Sequence, residues 1–560
     1  MRRFNDSKIT LLLLALVPTF TLTAGSAKAD FVFGKLQNLG PVVNSPSGDA
    51  GISFSADGLE LYLSSNRPGG YGYFDIYVAT RATKSDPWGP PVNLGPAVNS
   101  PGAEILPSIS SDGLTLYFSD DWDWSPRPGG LGGCDIWMAE RTSRDAPWGT
   151  PMNVGAPINT SAGEITPSVS GDGLTLLFAS ARAGGQGSYD LWMSTRATVQ
   201  DNWGAPVNIG GVVNSGSWDH GPSLSCDERA LVFTSNRPGG FGGYDLWMTT
   251  RKTPGDPWGP PINLGPRINS SGHEDAPAIS ADARMLYFLA HTPPGGYGNY
   301  DLWQVPIIPI VDFNGDGRVD LQDLVRLIES WGKDDPTVDI GPMPWGDGKI
   351  DTADLEILMS YWGQEVNDPT LIAHWKLDEV SGMVAADCAG SYDGFLERGP
   401  VWQPSGGTVA GAVQFDGLDD YIKTPSVLSP SDGPFSVFAW VKGGAPGQVI
   451  LSQAGGANWL MAGDPGGVLT TEVKESGRKG KSLVSAAVIT DGAWHRVGLT
   501  WDGGNRILYV DDIEVARDTQ ASLAGSTENL TIGAGSTLAP ASFWKGLIDD
   551  VRIYDRAVKP

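Results

Sequence analysis

The chain predicts a mainly β protein in three parts: a five-bladed β-propeller, a small α-helical module built on two acidic loops, and a C-terminal β-sandwich. Three observations carry that expectation. The phrase "NRPGGFGGYDLW" (236–247) recurs in four further versions between residues 66 and 303. The stretch "DFNGDGRVDLQDL" (312–324) spaces oxygen-bearing side chains ahead of an apolar helix. Beyond residue 370 the chain returns to strands of period two.

Composition supports this and excludes other classes. With 560 residues the chain is too long for one core, and 75 Gly with 42 Pro suit turn-rich β structure. A net charge of −26 repels nucleic-acid phosphates and suits cations such as calcium. Three cysteines, Cys134, Cys226 and Cys388, are an odd number in unrelated contexts and define no disulfide framework.

The first 29 residues read as an export signal. Arg2, Arg3 and Lys8 precede the apolar run Leu11 to Leu22, and Ala27-Lys28-Ala29 offers a small-x-small cleavage site. That run is too short to span a bilayer, and no later stretch is a membrane span. The expected product starts near Asp30 and is secreted, periplasmic or held at the cell surface.

From 30 to 308 the repeat is regular. The Asp of Ser-x-Asp recurs at Asp57, Asp112, Asp172, Asp227 and Asp282, and each unit holds four strand-like pieces. Four-stranded units repeated head to tail build a propeller. "PVNLG"-type strands close repeats 1 to 4 at Asn93, Asn153, Asn208 and Asn263, whereas repeat 5 lacks one. "KLQNLG" around Asn38 is the missing strand, so the N-terminus is expected to close the ring. The repeats, as in "PSISSDGLTLYFS" and "GGCDIW", resemble WD40-like, TolB-type propeller repeats over about 31–308. That resemblance implies a fold and no particular function.

Side chains present in every repeat are assigned to shape. The Gly pair allows a tight turn, and the Asp before each aromatic strand is expected to tie that turn to backbone amides. Trp88, Trp148, Trp203, Trp258, Trp137, Trp192, Trp247 and Trp303 fall in this group. An acid also recurs at Asp49, Glu104, Glu164, Asp219 and Glu274. Two readings stand: a ring of carboxylates facing one mouth of the channel as a ligand site, or five separate turn caps.

Exceptions to the repeat point to ligands. Repeat 2 carries five additional residues within "SDDWDWSPRPGG", placing Asp120, Asp121, Trp122, Asp123 and Trp124 together. Trp faces stack on sugar C–H groups while acids bond hydroxyls. Repeat 4 adds Trp218 and His220, and repeat 5 adds His273.

The module at 309–368 has hard-oxygen ligands at calcium-loop positions 1, 3, 5, 9 and 12: Asp312, Asn314, Asp316, Asp320 and Asp323. Gly317 makes the sharp turn and the Arg318 carbonyl fills position 7. Leu321, Leu324, Ile328 and Trp331 then form a helical face ended by Gly332. A second loop offers Asp347, Asp351 and Asp354, with the Lys349 carbonyl at position 7. Met343 and Trp345 stand where its acids belong, and Asp339 is the substitute through a longer loop. The paired EF-hand-like loops resemble a type I dockerin over roughly 310–366. The resemblance implies calcium as cofactor and a cohesin-type protein as partner, docked near Leu321, Gln322, Thr352 and Ala353. A calcium-stiffened spacer is the alternative.

Residues 369–560 supply "VQFDGLDDYIKT", "FSVFAWVKG", "HRVGLTWDG" and "GLIDDVRIYDRAV", alternating strands that predict a jelly roll. They resemble the laminin-G-like, concanavalin A-like lectin/glucanase family. The resemblance implies a structural calcium, for which Asp387, Asp393, Asp416 and Asp550 are candidates, turn-capping being the competing role. The close glutamate pair of the family's glucanases is missing from this segment.

Together these parts lead to an exported, non-catalytic binding or adhesion protein recognising a polysaccharide or cell-surface glycan. A polysaccharide-degrading glycoside hydrolase, or its accessory subunit, with the active site in the propeller is the alternative. An envelope platform for protein partners is a third reading.

Overall fold

A computed structural model describes residues 31–120, 127–291, 295–335, 337–342, 345–366, 368–454, 456–475, 481–558 and 560. The export signal and the inserted Asp121, Trp122, Asp123 and Trp124 lie outside the described residues.

Five antiparallel sheets form the propeller, their innermost strands being Asp49–Phe54, Glu104–Ile109, Glu164–Val169, Asp219–Leu224 and Glu274–Ile279. Successive inner strands pack side by side around a central channel, whose cavity of about 150 Å³ is lined by Pro107, Pro167, Pro222 and Pro277. The ring closes as the spacing predicts. Asn38 pairs with Trp303, in the register in which Asn263 pairs with Trp247 and Asn208 with Trp192. Phe31–Phe33 adds a further strand, pairing with Ile307 to Pro309.

The repeated phrase folds for local reasons. Gly69 turns with φ of 96°, a conformation costly for any residue with a Cβ. A Cβ on Gly70 would strike the Asp75 carboxylate. That carboxylate accepts from the Tyr71 and Gly72 amides at 2.6 and 2.9 Å and from Asn93 Nδ2 at 2.7 Å, tying turn to outer strand. Trp137, Trp192, Trp247 and Trp303 are buried between blades. Arg81 and Arg251 each lie over a repeat tryptophan, Trp88 or Trp258, at 4.2 Å.

Two short helices follow, α1 (Leu321–Glu329) and α2 (Thr352–Ser360). Both start at capping boxes, Asp320 with Asp323 and Asp351 with Asp354. Leu327 and Leu358 are fully buried with Val311, Phe313, Val319 and Ile350. Leu324 packs partly against this core, whereas Leu321, Ile328 and Trp331 stay exposed, so the expected helical face is divided between core and solvent.

The last domain stacks two antiparallel eight-stranded sheets over a core containing Trp375, Trp459, Trp544 and Phe415, each fully buried. The helical module sits between its neighbours. Trp345 Nε1 donates to Asp227 of the propeller at 3.0 Å, and Tyr554 Oη of the sandwich donates to the Gly315 carbonyl at 2.6 Å. Among the described residues, no helix is long and apolar enough to cross a membrane.

Candidate functional site

The five in-register acids are committed inside their own blades. Asp49, Glu104, Glu164, Asp219 and Glu274 are at most 1% exposed. Asp49 accepts from the Ser45 amide, from Ser65 Oγ at 2.6 Å and from Arg67 at 2.6 Å. Arg127, Arg182 and Arg237 pair in the same way with Glu104, Glu164 and Asp219. Their arginine is the second residue of the turn phrase, sandwiched between carboxylate and aromatic ring as Arg237 lies over Trp247 at 5.2 Å. Glu274 is bound by the Ser270 amide and hydroxyl, and burial raises its carboxyl, helped by Asp245. These placements are those of turn ties: the oxygens face local amides, hydroxyls and guanidinium groups, and an open ring of carboxylates at the mouth is not what the fold presents.

The symmetry breaks one residue to either side. The slot before the acid holds Gly48, Ala103 and Gly163 in blades 1 to 3, then Trp218 and His273. The slot after it holds Ala50, Ile105 and Ile165, then His220 and Asp275. His220 Nε2 meets Asp275 Oδ1 at 3.1 Å across the junction of blades 4 and 5, and Thr234 Oγ1 donates to the same oxygen at 2.9 Å. Burial opposes protonation of His220, but the Asp275 charge and hydrogen bond outweigh it and raise its pKa. His220 is 7% exposed and its Nδ1 has no hydrogen-bond partner, as does Nδ1 of His273.

Aromatic rings extend this pair into an arc over blades 3 to 5. Tyr189 lies 5.0 Å from Trp218, His220 5.1 Å from Tyr244, Tyr244 5.4 Å from His273, and His291 4.9 Å from Tyr300. Backbone bridges Tyr189–Trp218 and Tyr244–His273 set each ring against its neighbour in the next blade. Trp218, Tyr244, His273 and His291 are half-buried and Tyr300 is 39% exposed, so the rings present edges and faces to solvent. Of this group, sequence reasoning found Trp218, His220 and His273. It missed Tyr189, Asp275, Tyr244, His291 and Tyr300; alignment of the repeats slot by slot flags Asp275 and His291, whereas Tyr189, Tyr244 and Tyr300 share one recurrent aromatic slot with Phe74.

The acidic loops of the middle module repeat one geometry. Asp312 Oδ1 accepts the Gly315 amide and Oδ2 the Gly317 amide, each at 2.8 Å; Asp316 Oδ1 accepts the Arg318 amide. Asp323 is fully buried and accepts the Phe313 and Asp320 amides, while Asn314 Nδ2 reaches Asp316. Asp320 caps α1. In the second loop Asp339 occupies the place of Asp312, accepting the Asp347 and Gly348 amides, and Asp347 accepts that of Lys349. Asp354 and Asp351 mirror Asp323 and Asp320. Burial, reinforced by the Asp323 and Asp316 charges, pushes Asp312 up to about 7, and burial pushes Asp323 and Asp339 up to about 6.

In the sandwich, Asp387 accepts the His374, Ala389 and Tyr392 amides, and Asp393 accepts the Asp387 amide, which occupies them as turn ties. Asp550 is held by His374 at 2.7 Å and by Arg552 at 3.1 Å, so the oxygens of that calcium candidate are already engaged by side chains. Its neighbour Asp549, absent from the sequence candidates, is fully buried with an Oδ1 that has no partner. Burial first, then Asp550 and Asp378, push it up to about 7. Oxygens of Asp416, Asp419 and Asp420 lie within 4.8 Å of one another.

Residues 415–560 match the family Laminin_G_3, the concanavalin A-like lectin/glucanases superfamily. No curated protein matches the chain. Among solved structures, Trypanosoma rangeli sialidase with the inhibitor DANA is similar at 13% identity over 92% of both chains, TM-score 0.37. Domain 4 of AbnA, a GH43 extracellular arabinanase from Geobacillus stearothermophilus, in complex with arabinotriose, is similar at 21% identity over 34% of this chain and 94% of that one, TM-score 0.25. TolB from Acinetobacter baumannii is similar at 14% identity over 50% and 63%, TM-score 0.31.

Proposed function

We propose that this is an exported carbohydrate-binding protein whose propeller presents the ligand surface, with calcium stabilising the middle module. The arc of Trp218, Tyr244, His273, His291 and Tyr300 beside the His220–Asp275 pair carries the reading. Half-buried rings supply stacking faces at low conformational cost. The lectin-type sandwich fold is compatible with a second glycan contact.

A glycoside hydrolase needs an acid and a base or nucleophile held across one sugar. On this face the in-register carboxylates are tied to their turns and Asp275 is paired to His220, an arrangement suited to holding a ligand.

Calcium fits the first loop because Asp312, Asn314, Asp316, Asp323 and the Arg318 carbonyl are hard donors, and the two buried carboxylates repel one another without a cation. It would relieve that repulsion and fix the start of α1. Asp339, Asp347, Asp351, Asp354 and the Lys349 carbonyl would serve a second ion. The exposed Leu321 and Ile328 leave docking to a cohesin-type protein as a further role for the module.

The test is retention of the full chain on insoluble polysaccharides, with calcium and with chelator, and assay of released reducing sugar. Retention without release, weakened at least tenfold by Trp218→Ala, is expected; tenfold is about 1.4 kcal/mol. Release of sugar, or retention indifferent to Trp218, would overturn the reading. Chelation is expected to lower the unfolding midpoint and leave Trp218-dependent retention in place, since the loops lie outside the propeller.

A further inference from the structure

We propose that Cys388, His374 and Asp550 form a reactive thiol site in the sandwich that exchanges with disulfide-bearing molecules. His374 is 6% exposed and its ring is held at both ends: Nε2 meets Asp550 Oδ1 at 2.7 Å, and Nδ1 meets Cys388 Sγ at 3.3 Å. Arg552 donates to Asp550 at 3.2 Å, which keeps that carboxylate ionised and acceptor-only. The Nε2 atom must therefore carry the ring proton. In the neutral ring this leaves an Nδ1 lone pair facing the thiol, with the His374 carbonyl a second acceptor 3.3 Å from the same sulfur.

Cys388 is exposed while its base is buried, the order a nucleophile needs. The Cys388 amide donates to the His374 carbonyl at 3.0 Å, and Asp387 accepts the His374 amide at 2.8 Å, so backbone contacts hold thiol and ring together. Burial raises the thiol and Asp387 adds to it, whereas Lys376 and Arg552 lower it. A thiol kept protonated at neutral pH needs a base at the moment of attack, and Nδ1 is in place to serve.

In the exchange, the Sγ proton passes to His374 Nδ1 and sulfur bonds to one sulfur of the incoming disulfide. The old S–S bond breaks with its electron pair on the departing sulfur, which takes the proton back as a free thiol. The disulfide is the oxidant and nothing else is consumed. Such a site would join this chain covalently to an exported partner.

The protein contains its own control, because Cys226 is exposed and has no imidazole beside it among the described residues. The full chain is incubated with glutathione disulfide at about pH 7.5, and mixed disulfides are mapped by mass spectrometry. Cys388 is expected to react at least tenfold faster than Cys226, and His374→Gln to bring it down to the Cys226 rate. Equal rates in the native chain, or a fast rate indifferent to His374, would overturn the proposal. Should the variant fail to fold, the rate of Cys388 against that of Cys226 in the native chain decides alone. Neither outcome depends on the carbohydrate reading.

Discussion

Blades 1 and 4 share a backbone and differ in chemistry. In both, the acid that opens the inner strand is fully buried and bridged to the turn arginine at 2.6 Å. In both, the inner strand bulges two residues after that acid, with φ of 59° at Gly51 and 58° at Gly221. The residues flanking the acid are Gly48 and Ala50 in one, Trp218 and His220 in the other. Identical scaffolding thus positions slots that are empty in one blade and filled in the other. Shape is maintained by what recurs, and ligand chemistry is free to vary beside it.

The sharpest way to break that division is to remove its common part. Arg67→Ala in blade 1 and Arg237→Ala in blade 4 each leave a fully buried carboxylate without its cation. Losing one partner of a buried pair costs about 3–5 kcal/mol. Both variants are expected to fall in that range and within about 1 kcal/mol of each other by urea unfolding. A much larger loss in blade 4 would mean that its arginine serves the ligand face as well as the turn.

The sequence carried the scaffold further than the site. Spacing alone gave the strand around Asn38 to the last blade, because a repeat that lacks one strand can find it only at the other terminus, and the structure pairs Asn38 with Trp303. The role of Arg67 was hidden behind the glycines next to it, whose conformational demand is visible without neighbours. Tyr244 and His273 meet through a bridge between blades, and a reading along the chain does not see it. Asp275 was masked by Glu274, the acid that kept the register. In the sandwich, Asp549 and Asp550 are indistinguishable by period-two logic. A bulge opposite Phe438 and Trp440, with Asp550 at φ of 50°, decides which turns toward His374. Asp339 was legible as the counterpart of Asp312 because, despite the longer loop, the amides still converge on it.

A second break exchanges the exceptions. Trp218→Ala with His273→Ala gives blades 4 and 5 the small residues of blades 1 to 3. Because both side chains are half-buried, unfolding free energy should fall by no more than about 2 kcal/mol. Retention on polysaccharide should fall by at least tenfold, or about 1.4 kcal/mol, measured on protein shown to be folded. Phe74→Ala, in the blade 1 slot that matches Tyr244, should leave retention within about twofold. Equal losses from both sides of the ring would erase the distinction between scaffold and site.

The finest comparison is between His220 and the apolar residues in its slot, since only His220 makes stability depend on pH there. Asp275 holds the imidazole above its ordinary value of 6.5. A group raised on folding contributes stability that is complete below its unfolded value and lost as pH rises through the folded one. Asp275 has the opposite sign. Burial opposes its ionisation, His220 outweighs burial and holds it below 3.8, and its contribution is lost as pH falls through that lowered value. The pair therefore stabilises most between 3.8 and 6.5 and weakens in alkali. The stability difference between the native chain and His220→Gln should be greatest near pH 5 and shrink toward pH 9. Ile165→Gln, in the same slot of blade 3, should show a difference flat across that range. A flat profile for His220→Gln would mean that the imidazole is neutral in the folded protein and bonds Asp275 without charge.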